Sequence, residues 1–353
     1  MHQRIVGILV AVFAALLLLA PGVAAAQSPA LDPALAAAAK AQQQQQIEQP
    51  LNNQPVWKEV RSGVPLVTTV TGRETNVLIQ SAGQSWRAFR NSWFSVVAGW
   101  ALVVLVLIIA AYYLVRGTLQ LSGKPTGRKV KRFGAWQRSI HWATAITFVI
   151  LAITGLIILF GKNILLPLIG YTLFSWLVIL SKNLHNFVGP LFIICTVLIF
   201  FTFVRDNIWR AHDFTWLGRF GGLFSNKEVP SGKFNGGEKL WFWGGVFICG
   251  VLVAASGLVL DFPNFNQTRS TMQIADLVHI TIATLFMLAG LGHIYMGTIG
   301  MAGAYDAMRT GYVDETWAKE HHEYWYNDIK AGKIPDALEM PQGPAGKLEQ
   351  KPA

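Results

Sequence analysis

Five apolar runs dominate this chain: Phe94 to Val115, Ile140 to Phe160, Phe187 to Val204, Leu240 to Leu260 and Leu277 to Ile299. Each approaches or exceeds the roughly 20 residues with which an α-helix crosses a bilayer. In lipid every backbone N–H and C=O must be satisfied within its own segment, so the expected fold class is an all-α membrane protein. Composition agrees, with 52% hydrophobic and only 14% charged residues. A formal charge of +10 would in a soluble chain raise the question of nucleic acid. Here the Lys and Arg residues flank the apolar runs, so the expected partner is the lipid bilayer and no nucleic acid. Cys195 and Cys249 each sit inside an apolar run, which excludes a disulfide framework, a Cys-type zinc site and a Cys-ligated iron-sulfur cluster in this chain.

Residues 1–26 read as a signal peptide: Arg4, an apolar stretch from Ile5 to Ala20, a Pro-Gly break and Ala24-Ala25-Ala26. Residues 27–92 read as a periplasmic tether, rich in Ala and Gln, followed by a small ordered segment with spaced Trp57, Val64, Leu66, Val70, Val77, Leu78, Trp86 and Phe89. An additional transmembrane helix (93–116), a basic loop (117–139), a four-helix membrane domain (140–300) and a polar tail (301–353) complete the expected organisation. Ile164 to Leu180, interrupted by Pro167 and Gly170 and bracketed by Lys162 and Lys182, reads as an interfacial or re-entrant piece, with a sixth span as the alternative. The loop between the first two spans carries Arg116, Lys124, Arg128, Lys129, Lys131, Arg132 and Arg138 and no acid, which by the positive-inside rule places it in the cytoplasm. The expected location is a bacterial inner membrane, with the mature N-terminus periplasmic and the C-terminus cytoplasmic.

Four histidines, His141, His185, His279 and His293, lie in the apolar helices. One membrane histidine is ordinarily a hydrogen-bonded packing residue, but four in a chain with few intramembrane carboxylates need a common explanation. Depth sorts them. His141 sits near the cytoplasmic end of its helix, and His185 and His279 sit at periplasmic starts. His293 follows His279 by fourteen residues, about 21 Å along the helix and about 40° short of a full turn, hence on the same face. The result is two pairs at two levels, His185 with His279 and His141 with His293. Paired neutral imidazoles from facing helices are what a six-coordinate b-type haem requires. Small residues, Gly155, Gly189, Gly257, Gly290 and Gly292, would leave room for a porphyrin. His212, His321 and His322 read as surface residues.

At these positions the sequence resembles the gamma, cytochrome b, subunit of respiratory formate dehydrogenase. The resemblance covers Lys131 to about Ile329. It is carried by Arg138-Ser-Ile-His141-Trp142, Leu184-His185-Asn-Phe-Val-Gly189, Val204-Arg205 with Asn207-Ile208, Gly232-Lys-Phe-Asn235-Gly-Gly237-Glu-Lys239, the His279 to His293 spacing, His293-Ile-Tyr295-Met296 and Trp317-Ala-Lys-Glu-His321-His322. It implies four core helices in a haem-binding bundle, with the additional N-terminal helix outside that core. It also implies two haem b groups whose iron is ligated by His141, His185, His279 and His293 in the pairs that depth gives. A quinone, menaquinone or ubiquinone, is implied at the Lys233 to Lys239 segment, with Asn235 as a polar contact and Gly237 allowing close approach. An ordinary glycine turn with a basic membrane flank reads the same residues equally well. The Val56 to Arg61 and Gly72 to Thr75 stretches are similar to long members of the family, and no motif gives residues 27 to 116 a function.

The function the resemblance implies is an electron-transfer subunit between a periplasmic iron-sulfur (beta) subunit and quinone. No catalytic residue is expected in this chain, because formate oxidation would lie in a molybdenum or tungsten (alpha) subunit. The cytochrome b subunit of a nickel-iron hydrogenase or of a thiosulfate or polysulfide reductase shares the two-haem core and is an alternative reading. A haem-free membrane anchor is another. A transporter is disfavoured by the absence of broken-helix repeats and intramembrane carboxylates.

Overall fold

The computed structural model describes residues 82–222, 229–265 and 267–334, with 54–62 and isolated positions between 33 and 52. The expected signal peptide, most of the tether, the stretch 63–81 that includes Gly72 to Thr75, and residues 335–353 of the tail lie outside the described residues. Five helical stretches are long and apolar enough to cross a membrane: Gly83–Arg116, Ala135–Ile164, Leu166–Phe203, Gly236–Asp261 and Arg269–Gly300. Their outer faces are apolar too, with Leu114, Phe187 and Tyr171 more than 80% exposed in the chain alone. Helices hydrophobic all round belong in lipid.

In chain order the elements are α1 (Gln54–Ser62), α2 (Gly83–Ala88), α3 (Ser95–Arg116), β1 (Lys129–Lys131), α4 (Ala135–Ile164), α5 (Leu166–Phe203), α6 (Ala211–Gly218), α7 (Gly236–Leu240), α8 (Gly250–Asp261), α9 (Arg269–Tyr295), α10 (Ala304–Arg309), β2 (Tyr312–Asp314), α11 (Glu315–His321) and α12 (Glu323–Lys330). Three π-helical segments lie within the long spans: Phe89–Phe94 joins α2 to α3, Trp241–Cys249 joins α7 to α8, and Met296–Gly300 extends α9. Such bulges insert an extra residue per turn and redirect the side chains around them.

One expectation changes here. Ile164 to Leu180 is not a separate interfacial piece: from Leu166 onward it is the start of α5, which runs 38 residues through His185 to Phe203. Pro167 stands at the helix start, where its missing N–H has no partner to lose. The interruption is confined to Gly170, at φ 75°, ψ 172°, a conformation that a Cβ would oppose. Lys182 and Asn183 lower the apolar average but do not break a helix backbone.

The chain divides into two compact units, 1–97 with 253–281 and 98–252 with 282–353. In the first, Thr268 caps α9, its hydroxyl accepting from Thr271 N at 3.1 Å. Arg90 of the π-helical Phe89–Phe94 segment lies 3.1 Å from Asp276 of α9. In the second unit the core is aromatic. Phe200 stacks on Phe242 and Phe247 at 5.6 and 5.0 Å, and Phe286 meets Phe148 at 4.8 Å and Phe192 at 6.2 Å. Edge and offset ring contacts of this kind add to the burial of area.

The second unit also contains a polar platform that the tail helps to build. β1 pairs antiparallel with β2 in the register Lys129↔Asp314, Val130↔Val313 and Lys131↔Tyr312, and both valines are buried. Arg132 follows β1. Its guanidinium lies 4.9 Å from the rings of Phe133 and Trp317, donates to Glu238 at 2.9 Å and donates to the Lys233 carbonyl at 2.8 Å. Asp314 caps α11 by accepting from Thr316 N at 2.9 Å and also accepts from Gly127 N at 2.9 Å. These contacts hold its carboxylate below the usual range. Arg128 pairs with Glu315.

His322, read from sequence as a surface residue, is only 1% exposed. Its Nδ1 donates to the Gly232 carbonyl at 2.7 Å, and Ser231 Oγ lies 3.2 Å away. The reversal comes from the fold of the tail, which turns at His322 between α11 and α12 and inserts the ring under residues 231 and 232. Burial, with Arg132 beside it, pulls this imidazole down to about 3. An unfolded histidine titrates near 6.5, so between these values the undocked tail binds the extra proton. Docking is therefore at full strength above about pH 6.5 and weakens as pH falls, by up to about 1.4 kcal/mol per pH unit. Limited proteolysis within 301–334 should accelerate between pH 7 and pH 5. His322→Asn, which keeps a donor for Gly232 but cannot titrate, should flatten that dependence. A pH profile identical in the two proteins would remove His322 as its cause.

Candidate functional site

Two of the four membrane histidines come together in the second unit. His141 lies in the second turn of α4, whose entry is fixed by Gln137 accepting from Gly134 N at 3.0 Å. His293 lies near the end of α9. Their ring centres are 6.2 Å apart with planes at 57°. Two imidazoles on opposite sides of one metal, with bonds of roughly 2 Å and about 1 Å from nitrogen to ring centre, stand roughly 6 Å apart. The observed separation fits. No cluster of three or more His, Cys, Asp or Glu side chains able to hold a metal is present among the described residues. A two-imidazole donor set suits an iron whose other four ligands come from a macrocycle.

The surroundings of the pair are aromatic. Trp241, the first residue of the π-helical Trp241–Cys249 segment, stacks on His293 at 4.8 Å and 11°. It can lie flat because Gly245 offers no Cβ to the indole, from which one would stand only 2.6 Å away. Trp142 donates to the Met308 carbonyl at 3.1 Å, tying the His141 turn to α10. Nδ1 of His141 is buried and has no hydrogen-bond partner among the described residues.

His185 and His279 fall in different units, and each is held by the same device. His185 Nδ1 lies 2.8 Å from Thr154 Oγ1, whose own hydrogen goes back to the Ile150 carbonyl at 2.8 Å. His279 Nδ1 lies 3.1 Å from the Val253 carbonyl and 3.2 Å from Ser256 Oγ. A carbonyl can only accept, so Nδ1 of His279 carries the hydrogen. The spent Thr154 hydroxyl assigns the same tautomer to His185. In both rings Nε2 is then the unprotonated nitrogen, the form that ligates a metal.

The residue after each hydroxyl is a glycine. A Cβ at Gly155 would stand 3.3 Å from Cε1 of His185, and one at Gly257 would stand 3.2 Å from Cε1 of His279. These two glycines, read from sequence as space for a porphyrin, admit the histidine rings themselves. Gly290 faces Phe148 at 3.2 Å, while Gly189 and Gly292 meet no atom within 4 Å. The hydroxyl-glycine pairs Thr154-Gly155 and Ser256-Gly257 are visible in the sequence, but their meaning depends on which helix face meets which histidine.

The segment expected to contact quinone is ordered around Asn235. Its Oδ1 accepts from Glu238 N at 2.9 Å while Glu238 accepts from Asn235 N at 2.9 Å, a reciprocal cap on α7. Gly236 and Gly237 allow α6 to close on this start: a Cβ at Gly236 would stand 2.7 Å from the Asp213 carbonyl, and one at Gly237 would stand 2.8 Å from Trp216. Beneath lies a pair that sequence reading passed over, Asp213 with Lys239 at 2.6 Å, both buried. Lys239 also donates to the Ile208 carbonyl at 3.0 Å. His212 beside it is partly exposed, and His321 lies in α11.

Comparison with known proteins agrees with this arrangement. The family described as prokaryotic cytochrome b561 matches residues 132–311. The cytochrome b556(fdo) subunit of Escherichia coli formate dehydrogenase is 30% identical over 205 residues, covering 57% of this chain and 93% of that protein. The nitrate-inducible cytochrome b556(Fdn) subunit from the same organism is 27% identical, over 55% of this chain and 88% of its own length. The formate dehydrogenase cytochrome b556 subunit of Haemophilus influenzae is 27% identical, over 60% and 89%. The span 132–311 contains all four membrane histidines and the Asn235 segment, whereas α1 to α3 lie outside it. With five membrane-crossing helices and a family that carries b-type haem, the chain belongs to the prokaryotic cytochrome b561 family and, within it, to the formate dehydrogenase cytochrome b subunits.

Proposed function

We propose that this chain carries electrons across the membrane for a respiratory formate dehydrogenase. It takes them from an iron-sulfur (beta) subunit on the periplasmic side and delivers them to menaquinone or ubiquinone on the cytoplasmic side, through two b-type haems held by His185 with His279 and by His141 with His293. Formate oxidation itself lies in a molybdenum or tungsten (alpha) subunit. The observation that carries the reading is the 6.2 Å separation of the His141 and His293 rings, which suits axial ligation and which no metal cluster of protein ligands alone would need. When bound, the haems supply one-electron redox in an apolar medium. Thr154, Ser256 and the Val253 carbonyl hold the Nδ1 hydrogens of two ligands and so orient them, and Trp241 orients a third by stacking. Proton uptake by quinone from the cytoplasm, set against oxidation outside, would make the complex generate a membrane potential.

Replacing His185 or His279 with Ala should remove one haem and replacing His141 or His293 the other, about half the haem in each variant, measured by pyridine haemochrome on assembled protein. Equal loss of both haems from every variant, with assembly intact, would sink the pairing. For orientation, a reporter fused after Thr126 should be active only in the cytoplasm and one after Thr268 only in the periplasm, because the basic loop 117–139 resists export. An exported Thr126 fusion inverts the proposed direction.

Asn235 can be tested separately from its cap. Asn235→Asp keeps the acceptor for Glu238 N but loses the amide donor that a quinone carbonyl would use. A lost hydrogen bond costs about 0.5–1.5 kcal/mol net, so haem reoxidation by a quinone analogue should slow about two- to tenfold at unchanged haem content. Asn235→Leu removes the cap as well, a further cost of about 1 kcal/mol to the start of α7. Unchanged reoxidation in the Asp variant leaves Asn235 with its capping role alone.

A further inference from the structure

We infer that Arg90, from the N-terminal segment outside the matched family region, is a positioning residue that sets the reduction potential of the haem at His279. The inference rests on the proposed reading of His279 as a haem ligand. Arg90 lies in the π-helical Phe89–Phe94 segment, with its Nε 3.1 Å from Asp276 Oδ2. Asp276 precedes His279 by three residues on α9, and residues so spaced are neighbours on one helix face. The two side chains are only 25% and 20% exposed, so their charges are poorly screened. Neither Arg90 Nε nor Asp276 Oδ2 has an aligned hydrogen bond, which makes this a contact between charges rather than a fork on a carboxylate.

The electrostatics have a sign. Reducing a haem iron adds one electron and lowers the charge of the site by one. A carboxylate one helical turn from the ligand favours the oxidised form, and a guanidinium held against that carboxylate offsets it. Asp276 alone would thus hold the potential of this haem down, and Arg90 lifts it. The second unit has no claim on this pair, since Arg90, Asp276 and His279 all belong to the first. A purely mechanical staple between the N-terminal segment and α9 would have no reason to move a potential in opposite directions when its two halves are removed.

The test is an optical redox titration of both haems in the intact complex, at low ionic strength, with haem content measured in parallel. Arg90→Gln should raise the oxidised-to-reduced ratio of one haem about three- to tenfold at fixed poise, tenfold being about 59 mV for one electron. The other haem should stay where it was. Asp276→Asn should shift the same haem the opposite way, the double variant should return toward the parent, and Arg90→Lys should match it. Potentials unchanged by Arg90→Gln at full haem content overturn the proposal, as do single variants that shift in the same direction or shift both haems alike. If Arg90→Gln sheds haem, Arg90→Lys and Asp276→Asn decide the matter by the same criteria. Retention of both haems by assembled His279→Ala would instead remove the reading of His279 as ligand, a distinct failure.

Discussion

An imidazole in an apolar helix has two nitrogens to satisfy and no water to satisfy them. Leaving a buried polar group unpaired costs about 1–3 kcal/mol, so each membrane histidine dictates something about the helix facing it. For His185 and His279 the facing helix supplies a hydroxyl and then a glycine. The hydroxyl, or the carbonyl one turn before it, takes the Nδ1 hydrogen, and the glycine lets the ring come near enough for that bond. The hydrogen bond then decides the tautomer, and the tautomer decides which nitrogen can bind a metal. His141 and His293 are handled differently, by face-to-face proximity and by the indole of Trp241.

Polar groups that the spans exclude collect in the platform of the second unit. Buried ion pairs such as Asp213–Lys239 and Arg132–Glu238 are weak contributors to stability, because desolvation consumes most of their attraction. Their effect is one of order. Helix α7 opens a membrane span, so its first N–H groups need partners before the chain enters lipid. Asn235 and Glu238 supply them, and Arg132 fixes Glu238 in place from the strand β1 side. An asparagine suits this position because its oxygen caps the helix while its amide hydrogens stay available to a second acceptor, something aspartate or serine cannot offer.

What could be read from the sequence follows the range of the forces involved. Span length and apolarity are local properties, and all five membrane-crossing helices were legible in them, as was the haem-binding family in the four histidines. The Asn235-x-x-Glu238 cap was written plainly in the chain but was read as a ligand contact, because a capping box and a polar contact use the same residue types. Lys182 and Asn183 misled over the start of α5, since an average over a window cannot distinguish a polar stripe from a break. His322 and Asp213 were illegible for a different reason: their burial is created by segments about 90 and 26 residues away, at Ser231 and Lys239. No local pattern records such a meeting.

The two kinds of histidine environment bear on how one chain could run two haems at different potentials. Protein levers on a haem are ligand identity, hydrogen bonding beyond the ligand, local charge and burial. With histidine at all four positions, ligand identity is not a variable on the proposed reading, and the difference must come from the other three. A ligand whose Nδ1 donates to a carbonyl is more electron-rich than one whose Nδ1 lacks an acceptor, and electron-rich ligands favour oxidised iron. His279 is of the first kind and His141 of the second. That difference alone would make the His279 level the easier to oxidise and the His141 level the stronger acceptor, a gradient that runs toward the Asn235 segment. Arg90 works against part of it by offsetting Asp276, which keeps the His279 level from falling so low that it could no longer accept electrons itself.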